Sequence, residues 1–369
     1  MTKRTESTNR NMIASSRGVR PFCQRWMETV IHSAAVLLIA GMCTAGSLGC
    51  AVIAGDRDSL VQGPDGQQFR LSYVETLRNQ SSVRNENWRE LDPAKRAQPT
   101  VVSLDRPVSV AADAFRVYVA EAGAHPRIVV LDRGDRTATV LAVPVPPAEG
   151  KLLQPSGIAV DANGIIFVSD SQQGRVFSYD RSGSLFISLG RYGDLSYPAG
   201  IALDKQRNRL YIADSHAHLV RVVSTMGDRL LDIGGSAAES KDIRNPIGVA
   251  LDRSGNCFIL DSRSKRVLVY DPDGVSLYSF PLSSRGEPAD QVKPKAIAVD
   301  SDGHIYIADA VNNTILIYDR DGNHLGKWGK TGSLRGDLWS PVGIFIDERD
   351  TLYIADQMNN RIQVYQYTK

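Results

Sequence analysis

The chain has 369 residues, 42% of them hydrophobic and 23% charged, proportions ordinary for a globular protein. The net charge of +2 is unevenly placed: six of the 43 basic and two of the 41 acidic residues lie in 1–49, leaving the rest at −2. A basic, phosphate-seeking body is therefore not indicated.

In chain order, the first segment reads as an address. Lys3, Arg4, Arg10, Arg17, Arg20 and Arg25 precede an uncharged run at 33–55, "SAAVLLIAGMCTAGSLGCAVIAG". Basic residues followed by an apolar run make an export signal or a membrane anchor, with the remainder exported. Small residues lead to Gly49-Cys50, and the stretch resembles the lipobox of bacterial lipoproteins. That resemblance implies lipidation at Cys50, with 1–49 as leader. An uncleaved span and cleavage near Ala45 stay open, and all three place the body in the cell envelope outside the cytoplasm. Ala51 follows Cys50, where an Asp would resemble an inner-membrane retention signal. Of the four cysteines, only Cys257 lies in the body, in the apolar run "NCFIL", and reads as a buried, inert thiol.

Residues 50–68 read as a polar tether. "FRLSYVETL" at 69–77 alternates apolar and polar residues, as a half-buried strand does. Residues 78–104 read as a linker.

A repeat fills the remainder. "PSGIAVDANGIIFVSD", "PAGIALDKQRNRLYIAD", "PIGVALDRSGNCFILD", "PKAIAVDSDGHIYIAD" and "PVGIFIDERDTLYIAD" begin at Pro155, Pro198, Pro246, Pro294 and Pro341. The weaker "PVSVAADAFRVYVAE" begins at Pro107 and ends in Glu121 where the others end in Asp. Each copy gives a short apolar strand, a turn holding Asn or Gly, a second strand, a polar loop, a third strand such as "RVLVYD", a turn, and a fourth. Short connections make each copy a four-stranded antiparallel meander. Such a unit cannot cover its own two faces, so copies must stack around an axis as an all-β propeller. Six blades follow, at about 105–150, 151–195, 196–243, 244–291, 292–338 and 339–369. The last has only three strands, which predicts that 69–77 completes it, antiparallel to Arg361–Tyr367.

The pattern P-x-G-I-A-V-D…G-x-I-Y-I-A-D…N-x-R-I-x-V-Y resembles the NHL repeat, most fully in Pro341, Gly343, Asp347, Asp356, Asn359, Arg361 and Val364. The resemblance covers about 105–369. It implies a six-bladed propeller like those of exported bacterial proteins and lipoproteins. It also raises propeller enzymes of the lyase and lactonase kinds, which hold a divalent metal.

The residues argue for binding over catalysis. The aspartates ending each second strand, Asp170, Asp214, Asp261, Asp309 and Asp356, read as loop caps, some paired with the Arg five places on. At the mouth of the axis the x residues are Val108, Ser156, Ala199, Ile247, Lys295 and Val342, a set poor in metal ligands. His125, His216 and His218 fall in loops between second and third strands, and His304 and His324 in the opposite turns. No nucleophile elbow, phosphate loop or C-x-x-C is present. No cofactor, metal or catalytic residue is assigned, and no nucleic-acid partner. The variable loops between second and third strands read as a binding face. Its candidates are Gln172, Gln173, Arg175, His216, His218, Arg263, Lys265, Arg266, Lys295, Asn312, Asn313, Met358, Asn359 and Arg361. The expectation is a binding or scaffold module for a protein, peptide or glycan, tethered to a membrane by a lipid or N-terminal anchor. A metal-dependent propeller enzyme is the alternative.

Overall fold

A computed structural model describes residues 53–54, 58–62, 68–78, 102–134, 137–141, 151–190, 194–235, 243–283 and 291–368. The expected leader and Cys50 lie outside them, as do most of the expected tether and linker.

Six antiparallel sheets form the ring. Blade 2 shows the plan: Pro155–Val160, Ile166–Asp170, Arg175–Tyr179 and Leu185–Leu189 run from the axis to the rim. Blade 1 begins at Pro107–Ala112, blade 3 at Pro198–Asp204, blade 4 at Pro246–Leu251, blade 5 at Pro294–Val299 and blade 6 at Pro341–Ile346. The second and third strands of a blade are buried almost throughout, because both of their faces meet a neighbouring sheet. That is why they read as continuous apolar runs rather than alternating ones.

The core is divided among the blade interfaces. Six hydrophobic clusters each take side chains from two adjacent blades. One joins Val110 and Val117 of blade 1 to Tyr353 and Val364 of blade 6, and so closes the circle. At the axis the inner strands approach very closely. A Cβ on Gly200 would stand 2.8 Å from the Cα of Gly248 and 2.9 Å from the carbonyl oxygen of Ile247. The motif glycine is therefore required by contact with the next blade.

The last blade is closed as the alternation predicts. Gln68–Leu77 pairs antiparallel with Arg361–Thr368, running from Ile362 opposite Leu77 to Thr368 opposite Arg70. Leu71 and Leu77 are fully buried, one on each side of the sheet. The sheet then continues past four strands. Asp58–Gln62 pairs with 68–72, and Ile53–Ala54 pairs with it in turn. Part of the stretch read as tether is thus strand. It lies against His324–Trp328, the outer strand of blade 5. Leu325 there is buried, whereas Phe186, Leu230 and Leu277 on the outer strands of blades 2, 3 and 4 are exposed.

Candidate binding face

An antiparallel meander puts its 2–3 loops and the connections between blades on one face of the ring, and its 1–2 and 3–4 turns on the other. The first face is rigidly built. In each blade one buried carboxylate ties together the loop entering the blade and the loop crossing from second to third strand. Asp170 accepts from the backbone N–H of Leu153 and Gln154 and from that of Gln173. Asp214 does so with Ser196, Tyr197 and Ala217, and Asp309 with Lys293 and Asn312. Asp261 accepts from Arg244, Asn245, Arg263 and Ser264. In blade 1 the longer Glu121 reaches Asp105 N–H and Arg127. Burial pushes its carboxyl up from the ordinary value, against the opposing pull of Arg127. The loop-capping reading is correct, with one addition: the carboxylate also grips the preceding inter-blade loop, more than fifteen residues earlier in the chain.

The Arg pairing holds in blade 6 but not in blade 4. Arg361 Nε donates to Asp356 at 2.6 Å, and both residues are buried. Arg266 donates instead to Ser279.

The other groups of Arg361 donate to the carbonyls of Ser333, Leu334 and Asp337. Gln363 donates to Asp337 O, and Asn359 to Gly332 O. Together they pin the loop between blades 5 and 6, residues 329–340. From that loop Arg335 lies over the ring of Tyr73 at 3.5 Å, which engages the closing strand as well.

The candidate residues divide by exposure. Arg361 and Asn313 are buried, and with Asn359 and Gln173 they are framework. Asn313 accepts from Ser340 N–H and donates to Thr331, in a left-handed conformation with φ of 55°. Asn312 donates to Gln291 O and Asp309. Gln172, His216, Arg263, Lys295 and Met358 are exposed. Arg175, Lys265 and Arg266 are half-buried at the loop-to-strand junction. His216 stacks on Tyr197 at 4.5 Å, and His218 bonds the carbonyl of Arg244 through Nδ1. His125, in blade 1, is not brought to them. His304 sits in an opposite turn, bonded to Asp300.

Lys265 Nζ donates to Val292 O at 2.8 Å. Burial, then repulsion from Lys293 and Lys295, pushes its ammonium below the ordinary value, with Asp309 opposing. Among the described residues, Val311, Leu334, Trp339 and Met358 stand exposed on the same face as large apolar side chains. Lys293, Val311, Leu334 and Trp339 escape the sequence reading. Only Val311 lies in a 2–3 loop, and the others lie in inter-blade loops that no repeat pattern marks. Among the described residues, no three His, Cys, Asp or Glu side chains converge as a metal site.

Family models agree with this architecture. The NHL repeat model matches residues 195–223, and a six-bladed β-propeller model matches 292–369. The fold is a six-bladed β-propeller, and these two segments carry the similarity to the NHL repeat and to a six-bladed propeller family.

Protein brain tumor of Drosophila melanogaster is similar over 144 residues at 26% identity, covering 38% of this chain and 13% of that protein. NHL repeat-containing protein 2 of Bos taurus is 24% identical over 168 residues, 37% of this chain and 23% of that protein. The chain thus spans under a quarter of the length of either relative. Among solved structures, a gluconolactonase from Xanthomonas campestris superposes with a TM-score of 0.55 at 14% identity, covering 89% of this chain and 99% of that one. An auxiliary nutrient binding protein from Bacteroides thetaiotaomicron gives 0.52 at 16%, covering 72% and 70%. At such identities the likeness is one of fold.

Proposed function

We propose that this propeller is a binding module, displayed in the cell envelope, whose contact surface is the face of 2–3 and inter-blade loops. One observation carries the reading: the loops of this face are fixed by buried carboxylates, yet between them stand exposed basic and large apolar side chains. A loop already ordered loses little entropy on binding. Variable side chains on a rigid scaffold are the arrangement in which recognition is usually built. The partner is a protein, peptide or glycan. The likeness to an auxiliary nutrient binding protein is consistent with binding, through fold alone. Location in the envelope is supported by the basic-then-apolar leader and by Gly49-Cys50.

Photocrosslinking in intact producing cells tests the contact face. A crosslinker at Gln172 or Met358 is expected to yield discrete adducts, and one at Arg253 or Glu348 on the opposite turns none. Equal capture from both faces, or turnover of lyase or lactone substrates by the purified protein, would overturn the reading. Labelling with a palmitate analogue tests the anchor. It is expected in the parent and lost in Cys50→Ala.

A further inference from the structure

The loop face of blades 4 to 6 is chemically lopsided. Lys293 and Lys295 are exposed, and Lys265 Nζ donates to the carbonyl of Val292, the residue before Lys293. The acids of the same arc, Asp261, Asp309 and Asp356, are buried, and their oxygens are engaged by backbone and side-chain donors. Asp337 is also buried and faces Lys330 at 3.7 Å. Three lysines therefore share this part of the face, with no exposed carboxylate beside them among the described residues. Like charges repel, and an anion laid across these lysines relieves that repulsion.

The apolar groups are continuous with this cluster. Asn312 donates to Gln291 O, two residues before Lys293. Asn313 bonds Thr331 and Ser340 on the other side. Met358 N–H donates to Trp339 O at 3.1 Å. The segments carrying the lysines, Val311, Trp339 and Met358 are thus hydrogen-bonded into one surface. Contiguous exposed apolar groups rimmed by charge mark contact sites, and Trp and Met are favoured interface residues.

We infer that this arc takes an acidic, apolar-containing peptide segment of a partner protein. Its carboxylates would face Lys265, Lys293 and Lys295, and its apolar side chains would cover Val311, Trp339 and Met358. The inference rests on the reading of this face as the contact surface. A single-stranded nucleic acid asks for several stacking rings in series, and only one aromatic ring is present among these three apolar groups. A glycan asks for an aromatic floor, and Val311 and Met358 do not provide one. The opposite face bears Asp161, Asp180, Asp252, Asp271, Asp319 and Asp347 in its turns, a field that disfavours a long polyanion wrapping the disc.

Fluorescence anisotropy with the full-length protein tests this. The probe is a short labelled peptide alternating Glu with Leu and Phe. It is compared with one carrying Lys for Glu, one carrying Ser for Leu and Phe, an oligogalacturonate and an oligo(U). The acidic apolar peptide is expected to bind best, and more weakly as salt rises. Lys293→Glu/Lys295→Glu and Trp339→Ala are each expected to weaken it about tenfold or more. Arg253→Glu, on the opposite face, should leave it unchanged. Lys295→Gln, expected to give a smaller loss, keeps the test readable if the double variant melts early. Tighter binding of oligo(U) or oligogalacturonate through the same lysines would overturn the peptide assignment and leave the contact face standing. Peptide binding indifferent to these substitutions would overturn the arc. If no probe binds while crosslinks still form at Met358, the acidic-peptide inference falls alone. If the crosslinks are absent as well, both readings fall.

Discussion

Asp356 and Arg361 are a buried ion pair whose remaining donors and acceptors are filled by a loop distant in sequence. Removing one member of such a pair leaves an unpaired charge inside the protein, at a cost of about 3–5 kcal/mol. Arg361→Met and Asp356→Ala should each lower the urea midpoint accordingly, with an unchanged slope. A loss below about 1 kcal/mol would mean that water reaches the site. Gly200 makes a second residue-scale prediction. Its missing Cβ makes room for backbone atoms of Gly248 and Ile247, which cannot rotate away. Gly200→Ala should therefore cost about 1–3 kcal/mol by overpacking. Ala296, at the matching place in blade 5, already carries a Cβ, so Ala296→Gly should cost less. The capping role of the aspartates was legible because it recurs at a fixed place in the repeat. The burial of Arg361 was not, because its carbonyl partners lie 24–28 residues upstream in a loop without a motif.

At the scale of elements, the ring depends on a strand from the other end of the chain. Its apolar-polar alternation, together with only three strands of blade 6 following Pro341, makes this clasp legible in the sequence. Leu77 joins the blade 6 to blade 1 cluster and Leu71 the blade 5 to blade 6 cluster, so one strand secures two interfaces. Leu77→Ala should cost about 2–5 kcal/mol, the range for a buried leucine. Deleting 53–77 should do more, since it also bares the edge of Arg361–Thr368. Loss of the cooperative melt, or aggregation, is the expected result, and a truncated ring that melts like the parent would refute the clasp. Deleting only 53–62 should cost less, because it uncovers the outer strand of blade 5 while the four strands of blade 6 stay paired. The strand Asp58–Gln62 was missed because "DSLVQ" is short and has only two apolar residues, too weak a pattern to separate from a tether.

At the scale of the molecule, the same burial that closes six interfaces fixes the response to alkali. Tyrosines recur in the second and third strands, and burial is the leading cause that raises their ionisation. Tyr118 is pushed up to about 12, and Tyr179, Tyr306, Tyr318, Tyr353 and Tyr365 are raised as well. In the unfolded chain a tyrosine ionises near about pH 10. Above that pH the unfolded state holds fewer protons than the folded one, so stability falls as pH rises, and the contribution is intact below about pH 10. These groups are spread over blades 1, 2, 5 and 6, and one propeller has no way to release a single blade without opening two interfaces. The expected titration therefore has two parts. Any tyrosine that water reaches in the folded protein gives a gradual rise in phenolate absorbance. The buried ones then ionise together, over a narrow range that coincides with loss of the β-sheet circular dichroism signal. Independent titration of all thirteen tyrosines near about pH 10, with the sheet signal intact, would show that water reaches the blade interfaces and that the ring is looser than its packing implies.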